Sequence, residues 1–419
     1  MEAYGKILLF AMPAFLLLVL FEKWYGWRKG KDTVNNMDMV SSLASGVTNV
    51  TKDVLGLALV FISYDWLVTN IAVVHIKATW LTYVIAFIAL DFAGYLVHTL
   101  AHKVNFFWNG HIIHHSSEEF NLACALRQSI SVFVKLFIVL LLPAALLGVP
   151  ATVVQVVAPL HLFAQFWYHT QHIGKMGFLE HVIVTPSHHR VHHAINKEYM
   201  DKNFGQIFII WDKLFGTFQQ ELAEVPAVYG VSRPVRTWNP IKINFQHIGL
   251  LLSDAVRTKD WGDKLKLFYG PTGWRPNDVA TQYPVYKIED VQAYEKYQTP
   301  ADGMLLFVVW LQVLILLGFV SYLFGNIGSI GKPAIFLYGG FIFIFVYALT
   351  ELMDGNQRAW VWECIKSIVG LSLFIAYSHW FTGALAINIL KPLIMAYFMA
   401  SPILSFWLLR RVFIHTPVL

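Results

Sequence analysis

Apolar residues in this chain come in long runs broken by short polar stretches. Runs at about 5–22, 53–74, 78–98, 131–149 and 151–169 precede a polar region from about 170 to 300. Others follow near 303–325, 333–352, 364–380 and 382–409, the last read either as one long span or as two short elements. Several approach the roughly 20 residues that a helix needs to cross a bilayer. The pattern predicts an all-α fold: a multi-pass transmembrane helical bundle of about eight to ten spans. The first run, near Ile7–Phe21, has neither a basic leader nor a small-residue cleavage site, so it reads as a retained span rather than a signal peptide.

Composition agrees. Of the 419 residues, 57% are hydrophobic and 14% charged, against about a quarter charged in a soluble chain. Nothing points to nucleic acid as a partner. The formal charge of +5 suits an anionic lipid surface. Cys124 and Cys364 form no CxxC pair, which argues against a disulfide framework or a thiolate metal site. The loop "EKWYGWRKGKD" (22–32) is strongly positive and is expected in the cytoplasm. Counting spans from it brings His98, His169 and the whole 170–300 region to that same side, as a cytoplasmic histidine-rich helical cap.

The histidines carry the chemistry. Of 17, 13 lie between His98 and His193. Three clusters have regular spacing: His98-x-x-x-His102, His111-x-x-His114-His115 and His189-x-x-His192-His193. On a helix, residues three and four apart share a face, so each cluster is expected to aim its imidazoles in one direction. Neutral imidazole is the commonest nitrogen ligand of metals. Two, three and three make eight ligands, where a single zinc needs about four. The set suits two metal ions with room for dioxygen or water.

The ordered set resembles the fatty acid hydroxylase / sterol desaturase superfamily of integral-membrane di-iron oxygenases, and within it the branch that cleaves alkyl ether lipids. The likeness also rests on "HHSSEEFNLACALRQS" (114–129), "QFWYHTQ" (165–171), "TPSHHRVHH" (185–193) and "DKNFGQIFIIWDKLFGTF" (201–218). It implies four regions: N-terminal spans with a basic interfacial segment (1–77), a catalytic domain (78–220), a cytoplasmic linker (221–300) and a C-terminal transmembrane block (301–419). It implies that His98, His102, His111, His114, His115, His189, His192 and His193 are metal ligands, with His169 as an additional one. In that branch the first box reads "HRxxHE", whereas Thr99 and Lys103 stand at the Arg and Glu positions here.

Other residues take supporting parts. Asp91, an acid inside an apolar run two helical turns before His98, is expected to hydrogen-bond an imidazole and fix its tautomer. Asn121, Arg127 and Gln128 are polar groups entering an apolar segment, candidates for contact with a lipid headgroup or a pterin. Glu118 and Glu119 in "SSEEF" read equally as helix capping or as support for the ligands. Asn203, Trp211 and Asp212 read as scaffold closing over the site. His161 and His172 read as buried, satisfied histidines ahead of further ligands, His181 as a loop residue, and His188 as a supporting or loop residue ahead of an extra ligand. His75, His247, His379 and His415 lack nearby partners.

The resemblance implies two iron ions, with zinc as an alternative occupant on purification, dioxygen, and tetrahydrobiopterin or another external electron donor. The substrate is then an alkyl ether lipid, hydroxylated beside its ether oxygen and falling apart to a fatty aldehyde and glycerol. Hydroxylation or desaturation of a sterol, acyl or carotenoid chain, with electrons from a redox partner protein, is the competing reading. No fused haem or iron–sulfur motif is present, so the electron source is separate. A metal transporter or bis-histidine haem protein is disfavoured, because HxxHH triplets at span ends suit neither. The localisation expected is the endoplasmic reticulum in a eukaryote or the inner membrane in a bacterium.

Overall fold

The computed structural model describes residues 2–57, 63–132, 137–377, 380 and 389–413. In chain order the helices are α1 (Glu2–Arg28), α2 (Asn36–Val54), α3 (Tyr64–Ile71), α4 (Trp80–Lys103), α5 (Asn105–Trp108), α6 (Ile112–His115), α7 (Phe137–Leu140), α8 (Leu142–Leu146) and α9 (Ala151–Phe163). After them come α10 (Pro186–His193), α11 (Ile210–Phe215), α12 (Pro240–Arg257), α13 (Trp261–Tyr269), α14 (Asn277–Gln282), α15 (Gly303–Gly325), α16 (Ile327–Ile330), α17 (Ala334–Met353), α18 (Ala359–Ala376) and α19 (Lys391–Leu408). Three isolated bridges are the only β-type pairings among the described residues.

The fold is all-α, but the expected eight to ten spans are corrected to six candidates among the described residues. These are Tyr4–Arg28, Trp80–Lys103, Gly303–Gly325, Ala334–Met353, Ala359–Ala376 and Lys391–Phe413. Three apolar runs are too broken to cross. In 53–74, α2 ends at Val54 and a new eight-residue helix, α3, starts behind Ser63, whose hydroxyl caps Trp66 N at 3.1 Å. In 131–149, the described part of α7 is one turn, and α8 is a five-residue helix with Pro143 in its first turn. In 151–169, α9 stops at Phe163 after 13 residues, about 20 Å of helix against the ~30 Å of a bilayer core. Parts of two of these runs, 58–62 and 133–136, lie outside the described residues, as do 382–388 and His379 and His415.

The broken runs still bury apolar surface. Tyr64 and Leu67 of α3, Ala144 and Ala145 of α8, and Val153 and Val157 of α9 pack with Ala86, Leu90 and Ala93 of α4. Their hydrophobicity serves a protein core beside α4. The C-terminal helices form a second core, in which Phe319, Phe341, Phe345 and Phe398 pack with Ala44 and Val47 of α2.

α2 is the polar exception. Asn35 caps it, accepting from Met37 N at 2.8 Å. Its buried polar side turns to the segment after the second histidine box: Ser45 donates to Gln128 O at 3.2 Å, and Asn49 and Lys52 donate to Ser129 O at 2.8 and 2.9 Å.

Contacts at the helix ends place one end of several spans together. Near the end of α1, Glu22 accepts from Leu122 N and from Thr170 Oγ1. At the end of α17, Asp354 accepts from Trp238 N at 2.7 Å and from Tyr297 OH at 3.1 Å. Asp302, which caps α15, pairs with Arg411 beyond α19 at 3.0 Å. This face carries the histidine boxes. At the opposite end, Gly5 of α1 lies against Phe324 and Ile327.

Within the C-terminal block, Lys366 is fully buried and donates to Glu363 (2.5 Å), Tyr397 OH (2.6 Å), Gln312 (2.8 Å) and Ser401 (3.0 Å). Removing one member of a buried ion pair strands the other, at a cost of about 3–5 kcal/mol, whereas replacing both with apolar groups is often neutral. Lys366→Met is therefore expected to lower thermal stability in nanodiscs sharply, and Lys366→Met/Glu363→Leu to recover most of it. Equal losses in both variants would show that the pair does not act as a unit.

Candidate metal centre

Four elements aim imidazoles at one buried volume. The last two turns of α4 carry His98 and His102. The short α6 follows His111 and carries His114 and His115. α10 opens at Pro186 behind the Thr185 cap and carries His189, His192 and His193. His169 comes from the loop after α9. Seven of these residues are buried and His111 and His114 half-buried, and Trp108, Phe120, Tyr168 and Phe204 surround the rings.

The nine nitrogens fall into two groups. His98, His102, His111, His115 and His192 form one, and His114, His169, His189 and His193 the other, the ligand atoms of each lying within 4.8 Å of one another. The groups adjoin, because the His115 and His193 rings stack at 4.3 Å. Each HxxHH box is thus divided, where the spacing predicted a single direction. The pairs four apart, His111 with His115 and His189 with His193, stay together, being only about 40° apart around a helix. His114 and His192 stand about 100° from the following residue and join the opposite group.

Tautomers can be read from backbone partners. A carbonyl only accepts, so His98 Nδ1 donates to Phe204 O (2.8 Å), His192 Nδ1 to Lys202 O (3.0 Å) and His169 Nδ1 to Gln165 O (3.0 Å). In a neutral ring the Nε2 lone pair is then free and turned inward. His98 Nε2 meets His111 Nε2 at 2.9 Å, which also meets His115 Nε2 at 3.1 Å. His169 Nε2 meets His189 Nε2 at 2.9 Å, which also meets His193 Nε2 at 3.1 Å. His192 Nε2 is buried with no hydrogen-bond partner among the described residues. One ring proton cannot serve several converging lone pairs, whereas a cation between them can. The donor set therefore fits two metal ions.

Burial also keeps these rings neutral. It pushes His111, His114, His115, His189, His192 and His193 well below the usual imidazole range, each further lowered by neighbouring histidines.

The supporting residues act at one remove. Asp91 does bond an imidazole, but that of His161 (2.8 Å), and it also accepts from Ile207 N (2.8 Å), Phe208 N (3.1 Å) and Trp211 Nε1 (2.8 Å). Asp212 accepts from Phe204 N and Gly205 N, both at 2.7 Å, and Asn203 donates to His188 O at 3.1 Å. Together they fix the loop whose carbonyls orient His98 and His192. Arg127 reaches Asp38 (2.6 Å), Ser116 (2.8 Å) and Ser42 (3.0 Å), tying the end of the second box to α2. Asn121 donates to Thr33 O at 2.7 Å and accepts from Ala123 N, while Gln128 is exposed. The side-chain hydrogen bonds of Asp91, Asn121, Arg127 and Gln128 do not include any of the nine histidine rings.

Glu118 and Glu119 neither cap a helix nor approach the nitrogens. Glu118 accepts from Tyr294 OH (2.6 Å) and Tyr297 N (2.5 Å), and Glu119 pairs with Lys296 (2.7 Å). They strap the 294–297 segment over the second box. His161, His172, His181, His188 and His247 stand outside both groups. Lys103 is exposed, with its ammonium over the face of Phe204 at 5.9 Å, and belongs to neither histidine group. Sequence reasoning passed over Asp201, whose carboxylate lies 3.7 Å from His102 Nδ1. Its signal was local: Asp201 and Asn203 both adopt positive φ, a conformation in which Asp and Asn are favoured among non-glycine residues.

The fatty acid hydroxylase family pattern matches residues 83–217, the segment that holds all nine histidines. The chain belongs to the fatty acid hydroxylase / sterol desaturase superfamily of histidine-box di-iron oxygenases. Its long matches are to alkylglycerol monooxygenases. It is 31% identical to that of Homo sapiens over 412 residues, 96% of this chain and 88% of the relative, and 30% identical to that of Danio rerio over 407 residues, 96% and 87%. A shorter match, 30% over 136 residues, covers 32% of this chain and 41% of the ornithine lipid hydroxylase of Rhizobium tropici. No solved structure matches the chain.

His169 gives the site a pH signature. Burial lowers its pKa from 6.5 to about 4. The unfolded chain therefore takes up a proton that the folded ring refuses, and the stability held above pH 6.5 is lost as pH falls through that window. Metal-free protein is expected to unfold at steadily lower temperature from pH 6.5 down to about 4. A flat melting profile across that range would contradict a buried, neutral cluster.

Proposed function

We propose that this membrane oxidoreductase is an ether-lipid monooxygenase that hydroxylates the carbon next to the ether oxygen of an alkylglycerol. What carries the reading is the joining of two observations: nine inward imidazoles in groups of five and four, and likeness to alkylglycerol monooxygenases along nearly the whole chain. His98, His102, His111, His115 and His192 would hold one metal ion, and His114, His169, His189 and His193 the other. Two iron ions held there would supply the reduction of dioxygen and the oxidation of an unactivated C–H bond.

The chain's own residues do the rest. The carbonyls of Phe204, Lys202 and Gln165 hold three imidazoles with their lone pairs inward. Asp91 and Asp212 fix the loop that presents two of those carbonyls. Trp108, Phe120, Tyr168 and Phe204 keep water from the nitrogens. Neutral ligands bring no negative charge, which favours the ferrous state. In the overall reaction one oxygen atom of dioxygen enters the C–H bond. The other leaves as water, with two electrons and two protons from tetrahydrobiopterin. The resulting hemiacetal separates into a fatty aldehyde and glycerol. Lys103 is exposed, so its replacement of the branch's Glu leaves the imidazole set untouched.

The basic loop 22–32 adjoins the histidine face, since Glu22 accepts from Thr170 Oγ1 beside His169 and Lys31 donates to Gln171 O at 3.4 Å. The positive-inside rule then favours a cytoplasmic site, open to a soluble reductant. The match to an ornithine lipid hydroxylase favours one other reading, hydroxylation of a different polar lipid at the same centre.

The purified protein in nanodiscs is expected to hold about two iron ions per chain, falling to about one in His189→Ala and in His192→Ala. His181→Ala, in an exposed loop, should keep both. Supplied with an alkylglycerol, tetrahydrobiopterin and dioxygen, the loaded protein should release fatty aldehyde. Iron at full occupancy with no aldehyde, but with hydroxylated ornithine or other polar lipid, would move the substrate to the second reading.

A further inference from the structure

α12 has two faces of opposite use. On one, Ile243 packs against Ile112 and Ile113 of α6, and His247 Nε2 donates to Asn105 O at 3.0 Å. On the other, Phe245, Leu252 and Val256 recur at helical spacing and are exposed, Val256 by 82%. α13 repeats this: Trp261, Leu265 and Tyr269 stand every fourth residue and are 77%, 66% and 68% exposed. Six large apolar side chains on two consecutive helices form a surface that water does not reward.

Both ends of this pair are tied to ends of membrane-crossing helices. At the start of α12, Asn239 donates to Glu351 near the end of α17 at 2.9 Å, and Lys242 pairs with the same carboxylate. Past the end of α13, Gly270 O accepts from Asn105 N at 3.0 Å, and Lys103 O, at the end of α4, accepts from Thr272 N at 3.3 Å. α17 and α4 both end on the histidine face. The roughly 27 Å and 13 Å of helix between those anchors therefore run along the level where the two spans leave the bilayer.

Exposed Leu100 on the last turns of α4 and exposed Phe106 on α5 continue the apolar surface from the spanning helix toward α13. With Lys242 paired to Glu351 and Asp254 to Arg275, Arg257, Lys259, Lys264 and Lys266 outnumber Asp260 and Asp263 along the pair. Aromatic and aliphatic side chains on one face with lysines and arginine beside them are the composition of a helix lying in a membrane surface.

We propose that α12 and α13 are a membrane seat whose partner is the lipid leaflet, with Phe245, Leu252, Val256, Trp261, Leu265 and Tyr269 entering the boundary between headgroups and acyl chains. Because α12 packs on α6, this seat fixes the second histidine box at a set height above the acyl chains. The claim concerns a surface and stands whichever lipid is oxidised.

The test uses the full chain in nanodiscs of phosphatidylcholine, with and without phosphatidylserine. Cys364→Ser removes the accessible cysteine and leaves Cys124, which is buried. Val256→Cys and Leu265→Cys are labelled singly with an environment-sensitive fluorophore, with Leu252→Cys in reserve should either fail to assemble. Exposed Lys287, as Lys287→Cys, is the aqueous reference. Doxyl groups high on the acyl chain should quench positions 256 and 265 at least about twofold more than aqueous iodide does, with the reverse at 287, and phosphatidylserine should strengthen the difference. Iodide reaching 256 and 265 as readily as 287 would overturn the proposal. So would protection from both quenchers, which would mean that a second copy of the chain covers this face.

Discussion

Nine neutral imidazoles with converging lone pairs are the constraint on which the molecule turns. Each ring has one nitrogen that can donate and one that can accept. Where backbone carbonyls take the donor, as Phe204 O, Lys202 O and Gln165 O do, the acceptor must face inward. Such an assembly is unfavourable without a cation at its centre, because buried polar atoms without partners are costly. It persists as a shape only if every element that presents a histidine is held from behind. The polar groups buried around the site serve that purpose.

Three anchors do the holding. Asp91 and Asp212 grip the 203–211 loop from α4 and α11. Arg127 and Asp38 join the second box to α2, which explains why so polar a helix lies inside an apolar bundle: Ser45, Asn49 and Lys52 meet the backbone of Gln128 and Ser129, and Ser42 and Asp38 hold the Arg127 side chain. Glu118 and Glu119 hold the 294–297 segment over the same box. The broken apolar runs fit this scheme. α3, α8 and α9 each pack one apolar face against α4 and brace the helix that carries the first box.

Helical angle accounts for the division of the boxes between two metal groups. A triplet HxxHH contains one pair about 40° apart and a third ring well off that direction. Two such triplets set against each other supply two centres reciprocally, each giving a pair to one and a single ring to the other. His98 and His102 complete the first group and His169 the second.

The composition and run lengths pointed to an all-helical membrane protein, and the histidine spacing singled out eight of the nine side chains that converge, because both depend on local periodicity and on residue chemistry; the ninth, His169, entered through the family resemblance. The number of spans was not legible. A run such as 151–169 has the hydropathy of a spanning helix, and only the folded chain shows that its helix ends at Phe163 and packs one face, Val153, Val154 and Val157, in the core beside α4. The role of Asp91 was half legible: its place inside an apolar helix demanded a partner, but the identity of that partner, His161 and the 207–211 loop, arises from residues 70 or more positions away. Lys103 drew attention as a departure from a pattern; folded, it is exposed and its ammonium lies over the ring of Phe204. The assignment of His114 and His192 to opposite groups, the tautomers, and the part played by Asp201 belong to the tertiary structure alone, because lone-pair direction is set by backbone carbonyls that meet the rings only when the chain is folded.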